Sequence, residues 1–423
     1  MTLLDRPTLA TPTTAAPPPS AIPTAPTPAP VTQSVARRAG RDPFLDLLRA
    51  VGTVAVILAH WLMPQVSWDG ATLHVTNVLG EGAGWVVTWV IQVIPLMFFV
   101  AGAATFSQLD RRWVPWGPFV TSRVRRLLPP VAVFAGVWLA IAVVLPELGA
   151  PRGAVRVAAT IAPQLLWYLG VYVILVACSH LLRACYLRAR VASLLVLGGG
   201  AVLVDVLRFA GGVEQIAVAN LFLVWAFAYT LGFAYADGLF DAVPRRACAA
   251  LSGLGFVALV AAVTLGPYPL SMVGMPGDAF SNMGPPTVCL VALTLAQVFG
   301  ALALRPVIVG CARQTQVAAV LGWISARSMT LYLWHLTAMF AVVGVVVLGA
   351  NLDLPEGWSG TWWETRPVWF AACAAVLALL VRVFAPVELR RPARSSIPGA
   401  APASRGDTAR ERPAGQFAGS GIA

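Results

Sequence analysis

Three ionisable residues stand where an uncharged segment is expected. Asp46, Arg49 and His60 lie in an apolar run from Phe44 to Met63, long enough to cross a bilayer core of about 30 Å. Ionisable groups at that depth are costly, and those that persist usually face a cavity or the interior of a helix bundle. On a helix, the interval from Arg49 to His60 returns to nearly the same face after three turns, with a rise of roughly 16 Å. One face then carries a guanidinium near the membrane surface and an imidazole near the midplane. The guanidinium suits a phosphate or carboxylate; the imidazole suits proton transfer near neutral pH. Two plainer readings stay open: Arg49 as a membrane-edge anchor that snorkels, and His60 as a polar group satisfied by a neighbouring helix.

A second histidine falls within another apolar run. In Tyr332-Leu333-Trp334-His335, counting from Arg327, His335 sits roughly 12 Å along a helix, a depth comparable to that of His60. The two imidazoles are expected to share one cavity, or His335 serves as a structural hydrogen-bonding group. Gln92 and Gln297 are weaker candidates of the same kind. Arg123, Arg125 and Arg126 crowd a run ending in Pro129-Pro130 at the start of the third span. Membrane anchoring accounts for that charge, and the cluster also suits a phosphate-bearing ligand. Trp167, in Leu166-Trp167-Tyr168-Leu169, is expected in an interfacial aromatic belt. Pro95, followed by Ala101 and Gly102, signals a kink with a close helix contact, or a cavity wall. The six cysteines are scattered without metal-ligand spacing, so neither a metal centre nor a disulfide framework is expected.

The elements that must position these residues are membrane helices. The chain of 423 residues is 58% hydrophobic and 11% charged, with a mean hydropathy of +0.77, far from soluble averages. Its net charge of +11 comes from arginine alone, since no lysine occurs. The arginines fall mainly between apolar runs, so the charge reports membrane topology before any nucleic-acid partner. Beyond the first run, apolar segments at about 85–106, 126–145, 161–182, 191–207, 217–236, 247–265, 286–304, 328–349 and 368–385 predict an all-α, polytopic bundle of about ten spans. Loops rich in arginine alternate with loops that are acidic or mixed. That alternation, with Arg37, Arg38 and Arg41 before the first span, predicts that both termini are cytoplasmic. Residues 1–40 and 391–423 are rich in Pro, Ala and other small residues and are expected to be disordered tails flanking a folded domain at 41–390.

The ordered set of motifs resembles acyltransferase family 3, the integral-membrane acyl-CoA-dependent O-acyltransferases. The resemblance rests on Leu45-Asp46-Leu47-Leu48-Arg49 with its histidine at 60, Phe98-Phe99-Val100-Ala101-Gly102, the arginine run ending in Leu128-Pro129-Pro130, Leu166-Trp167-Tyr168-Leu169, and Tyr332-Leu333-Trp334-His335. The chain departs from the family's common pattern at Leu47 and Ala50, where glycines are frequent, at Ala101, where serine is frequent, and at Gly170 to Tyr172, where a glutamate often follows the tryptophan motif. The resemblance implies a bacterial plasma-membrane enzyme that transfers an acetyl or other short acyl group from cytoplasmic acyl-CoA to a hydroxyl of a glycan, lipid or small molecule. It implies that His60 is catalytic, that Arg49 serves donor binding or catalysis, and that Arg123 and Arg126 lie at the coenzyme A entrance.

Thioester chemistry fits that implication: the donor is already activated, so the acceptor needs deprotonation, positioning and an oxyanion-stabilising environment. His60 is read as general base, with an acyl-histidine intermediate as the alternative. Arg49, oriented by Asp46 one turn earlier, is read as the group that binds the phosphates of acyl-CoA, with Arg123, Arg125 and Arg126 beside it. His335, Tyr332 and Trp167 are supporting candidates. No permanently bound cofactor is expected. The competing reading is a transporter or flippase using Arg49, His60 and His335 along a polar pathway; a non-catalytic scaffold leaves the aligned pair in the first span without a reason. The lysine-free, Ala/Arg/Gly/Pro-rich composition matches a high-GC bacterial genome, which keeps cell-envelope glycans, lipids and secondary metabolites such as macrolides all open as acceptors.

Overall fold

The computed structural model describes residues 42–70, 72–274 and 280–389. Both expected tails lie outside the described residues. Within them the fold is helical throughout, apart from one two-stranded hairpin. A chain surrounded by lipid has to satisfy its backbone internally, and helices do this within each segment.

Helix α1 (Pro43–Leu62) starts from Asp42, whose carboxylate accepts the Phe44 N–H at 3.0 Å, with Pro43 at the first position. Strands β1 (Pro64–Trp68) and β2 (Leu73–Asn77) follow as an antiparallel hairpin. The bundle thus has an amino end, where α1 begins, and a hairpin end. Next come α2 (Trp85–Ile91), α3 (Ile94–Arg111), α4 (Trp116–Glu147), α5 (Arg152–Ile161), α6 (Leu166–Arg188), α7 (Arg190–Phe209) and α8 (Asn220–Ala236). The set is completed by α9 (Arg245–Leu265), α10 (Val288–Ala303), α11 (Arg305–Ala312), α12 (Thr315–Ala326), α13 (Ser328–Val343) and α14 (Gly360–Leu389). Among the described residues, nine helical segments are long and apolar enough to cross a membrane. The pair α10 and α11, bent by 66°, makes a tenth if it is one span. Each of the ten runs read from hydropathy has its helix. The chain is a multi-pass membrane protein.

The boundaries differ in two informative places. The third span begins ten residues earlier than the hydropathy predicts, at Trp116 rather than near 126, so Arg123, Arg125 and Arg126 stand on α4 itself and Pro129-Pro130 lies inside it. The two prolines leave the carbonyls of Arg125 and Arg126 without their usual donors. Those residues are exposed. The second span is broken where Pro95 signals a kink: α2 ends at Ile91 and α3 restarts at Ile94. The amide of Gln297 ties the break, donating to the carbonyls of Trp89 (3.3 Å) and Gln92 (3.0 Å).

Two apolar cores flank α1. One gathers α3, α6, α7, α8 and α10 around Phe98, Trp225, Tyr229 and Phe233; the other gathers α4, α13 and α14 around Phe134, Trp334, Trp369 and Cys373. Val56 of α1 belongs to the first, and Ile57 and Trp61 to the second, so α1 runs along the seam. The first core depends on two glycines. A Cβ at Gly102 of α3 would overlap the carbonyl of Tyr229, and one at Gly232 of α8 would overlap that of Phe99. This is the close backbone approach that small residues allow between membrane helices. In the second core, the rings of Trp334 and Phe384 stack at 3.8 Å.

Candidate active site

The seam puts the two histidines together. The His60 and His335 rings meet edge to face, centroids 4.9 Å apart and planes at 67°. In each ring Nδ1 lies against a carbonyl of its own helix: that of Val56 at 2.7 Å for His60 and that of Tyr332 at 2.6 Å for His335. A carbonyl only accepts, so both Nδ1 atoms carry hydrogen and in the neutral ring the basic nitrogen is Nε2. His335 is fully buried, and its Nε2 has no hydrogen-bond partner among the described residues.

Three contacts fix this pair. Trp61 donates its indole N–H to the His335 carbonyl at 3.0 Å, and Trp369 of α14 donates to the Trp61 carbonyl at 2.7 Å. These bonds tie α1 to both its neighbours in the second core. At the amino end of α13, the Glu388 carboxylate accepts from Met329 N (3.1 Å), Thr330 N (2.9 Å) and Thr330 Oγ1 (2.7 Å). A carboxylate there satisfies otherwise unpaired N–H groups and complements the helix dipole.

His60 lines a partly open cavity of about 930 Å³ in the hairpin half of the bundle. Tyr332, Trp167 and Gln92 line it as well. Trp167, expected in an aromatic belt, is a wall of the cavity. His335 does not reach the lining: the histidines share a contact, with His335 behind His60, rather than a common cavity surface. Tyr332 is held by its hydroxyl, which donates to the Leu165 carbonyl at 2.5 Å.

The arginines occupy the opposite half. Arg49 lies 3.8 Å from Asp46, its side chain one-third exposed. Tyr168 packs its ring 5.5 Å from that of Tyr332 on the cavity wall. Arg123 stacks over Phe119 at 5.0 Å and donates to the Gln108 side-chain oxygen, while Arg125 and Arg126 are exposed on the same helix. None of Asp46, Arg49, Arg123, Arg125 or Arg126 lines the cavity, and among the described residues no Asp, Glu or Arg does. Among the described residues, this cavity does not join Arg49 and His335 to His60 in one polar pathway.

Three positioning residues escape a reading of the sequence: Trp61, Trp369 and Glu388. Tryptophan follows one histidine and precedes the other, at His60-Trp61 and Trp334-His335, but adjacency alone does not distinguish an anchor from core. Glu388, an acidic residue in the last turn of an apolar span, carried the clearer signal.

No curated protein and no solved structure matches the chain. The family model described as an acyltransferase domain matches residues 42–384, from the cap of α1 into the last turns of α14. The histidine pair, the cavity and the arginines all fall within that match, and the chain belongs to acyltransferase family 3.

Proposed function

We propose that this membrane acyltransferase moves an acetyl or other short acyl group from acyl-CoA to a hydroxyl, with His60 as general base. The observation that carries the reading is the 2.7 Å contact of His60 Nδ1 with the Val56 carbonyl. An oxygen that only accepts makes Nδ1 the donor, which leaves Nε2 as the basic atom of a side chain on the cavity wall. In the reaction, Nε2 takes the hydroxyl proton as the oxygen adds to the thioester carbonyl. The tetrahedral intermediate then expels the coenzyme A thiolate, and the imidazolium returns the proton to that sulfur. The products are an ester and free coenzyme A. His335, packed on His60 with an unpartnered Nε2, acts as a positioning residue.

Arg49, with Asp46 alongside, and Arg123, Arg125 and Arg126 on α4 would meet the donor phosphates at the amino end, which in this reading faces the cytoplasm. The acyl arm then passes Tyr168 to reach His60. The test is purified protein in lipid nanodiscs with radiolabelled acetyl-CoA, following thioester loss and donor binding. His60→Ala is expected to bind donor and lose turnover, and Arg49→Ala to weaken donor binding. Wild type that neither binds nor consumes any acyl-CoA overturns the proposal.

A further inference from the structure

We propose that the acceptor is an uncharged amphiphile, a lipophilic alcohol with a long or bulky apolar body, rather than a glycan or an ionic metabolite. This rests on the transfer proposed at His60 and names the class of molecule that fills the cavity beside it.

Among the described residues, the lining carries no Asp, Glu or Arg. Its walls come from Ile141 and Leu145 of α4, Val155 and Ala158 of α5, and Leu336 and Phe340 of α13. Of its polar side chains, Gln164 and Thr76 are exposed on the lining, and five others are engaged within the protein. Gln92 donates to the Met272 carbonyl at 3.1 Å, Asn77 accepts from Leu79 N at 3.0 Å, and Thr337 accepts from the Trp138 indole at 3.1 Å. Ser281 accepts from Met283 N and Gly284 N, and the Tyr332 hydroxyl donates to Leu165. That leaves His60 as the basic side chain on a mainly apolar wall whose other polar groups are those just named.

A saccharide brings many hydroxyls, and each one buried without a partner is penalised. A charged acceptor would find no counter-ion among the described lining residues. A molecule with a single hydroxyl and a hydrocarbon body meets the opposite conditions: the body replaces water against the walls, and the hydroxyl is the group that pairs with Nε2. The volume of about 930 Å³ accommodates such a body together with a short acyl group.

The test uses the full chain in nanodiscs with two readouts. First, hexadecanol and maltotriose are compared as acceptors of radiolabel from acetyl-CoA; hexadecanol is expected to be acetylated at least tenfold faster. Second, a diazirine-bearing hexadecanol is photocrosslinked without any donor. Labelling of α5 and α13 peptides is expected to be competed by hexadecanol, not by maltotriose, and to fall at least fivefold in Ala158→Trp, whose indole fills the cavity. Leu139→Trp, on a lipid-facing position of α4, controls for labelling from the bilayer and is expected to leave it unchanged. Acetylated maltotriose with inert hexadecanol overturns the acceptor class and leaves the transferase reading standing. Competed labelling without thioester loss overturns the transfer and keeps the ligand class. Labelling that neither competitor nor Ala158→Trp reduces overturns the site.

Discussion

Trp61 donates its indole N–H to the carbonyl of His335 at 3.0 Å, and the ring of His335 meets that of His60, the residue just before Trp61 in the chain. Two neighbours on α1 thus hold the same residue of α13, one by its backbone and one by its ring. The relationship converts a helix contact into a fixed geometry for the imidazole on the cavity wall.

Trp61→Phe removes the donor and keeps the ring in the core. The expected loss of stability is about 1–3 kcal/mol, because the buried His335 carbonyl loses this side-chain partner. Turnover should fall roughly tenfold with little change in donor KM, the signature of a displaced group rather than a lost binding contact. Thermal unfolding in detergent and steady-state kinetics check both. An unchanged kcat would mean that His60 holds its position without the tie.

His60→Gln and His335→Gln separate the two rings. Loss of a general base lowers the rate by roughly 10²–10⁴-fold, and His60→Gln is expected in that range with donor binding intact. His335→Gln keeps a polar group behind His60 and should cost roughly tenfold, with a shifted pH profile of kcat. Equal losses in both variants would assign the chemistry to the pair acting as a unit. A silent His60→Gln would remove His60 from catalysis.

The nine to ten spans were legible in the sequence because hydropathy is a local property that the bilayer enforces. Asp46, Arg49 and His60 were legible for the same reason: an ionisable residue stands out against Val, Leu and Ala. What escaped was long-range. Nothing local says that Trp61 reaches His335, 274 residues away, or that Glu388 caps α13. The apolar run around it singled out His335, yet whether it lined a cavity or stood behind another ring depended on how α1 and α13 pack. The start of α4 was misplaced because arginines lower hydropathy without breaking a helix.

Glu388→Gln keeps the shape of the cap and removes its charge. The expected cost is about 1 kcal/mol in stability, since the carboxylate meets two N–H groups and a hydroxyl at a helix start. Glu388→Ala removes the acceptor as well and should cost about twice as much. Because α13 carries Tyr332 and His335, turnover is expected to follow stability in the two variants, and thermal shift beside kinetics tests that order. Unaltered stability in Glu388→Ala would show that solvent supplies the cap.

Gly102→Ala puts a methyl group into the carbonyl of Tyr229 where α3 meets α8. Overpacking at a rigid backbone contact costs typically 1–3 kcal/mol, and here neither partner is a flexible side chain. The variant is expected to unfold at a temperature several degrees lower. Gly117→Ala, at an open position of α4, should be silent or slightly stabilising. Similar unfolding temperatures for the two would mean that α3 and α8 slide apart at little cost.

Arg125→Glu/Arg126→Glu and Ala158→Trp act at opposite halves of the bundle, so their effects are expected to separate. Reversing two exposed charges on α4 should raise the KM for acyl-CoA about tenfold at low salt. The effect should shrink as ionic strength shortens the Debye length from about 30 Å at 0.01 M to about 10 Å at 0.1 M. Acceptor KM should hardly move. Ala158→Trp should do the reverse, raising acceptor KM without a salt dependence in the donor. Distant sites without shared partners add within about 0.5 kcal/mol, so the triple variant should show the product of the two defects. Steady-state kinetics with both substrates varied, at two salt concentrations, reads every arm. A donor defect in Ala158→Trp as large as that in the charge reversal would mean that acyl-CoA also occupies the hairpin half, and the division of the site between arginines and apolar cavity would fail.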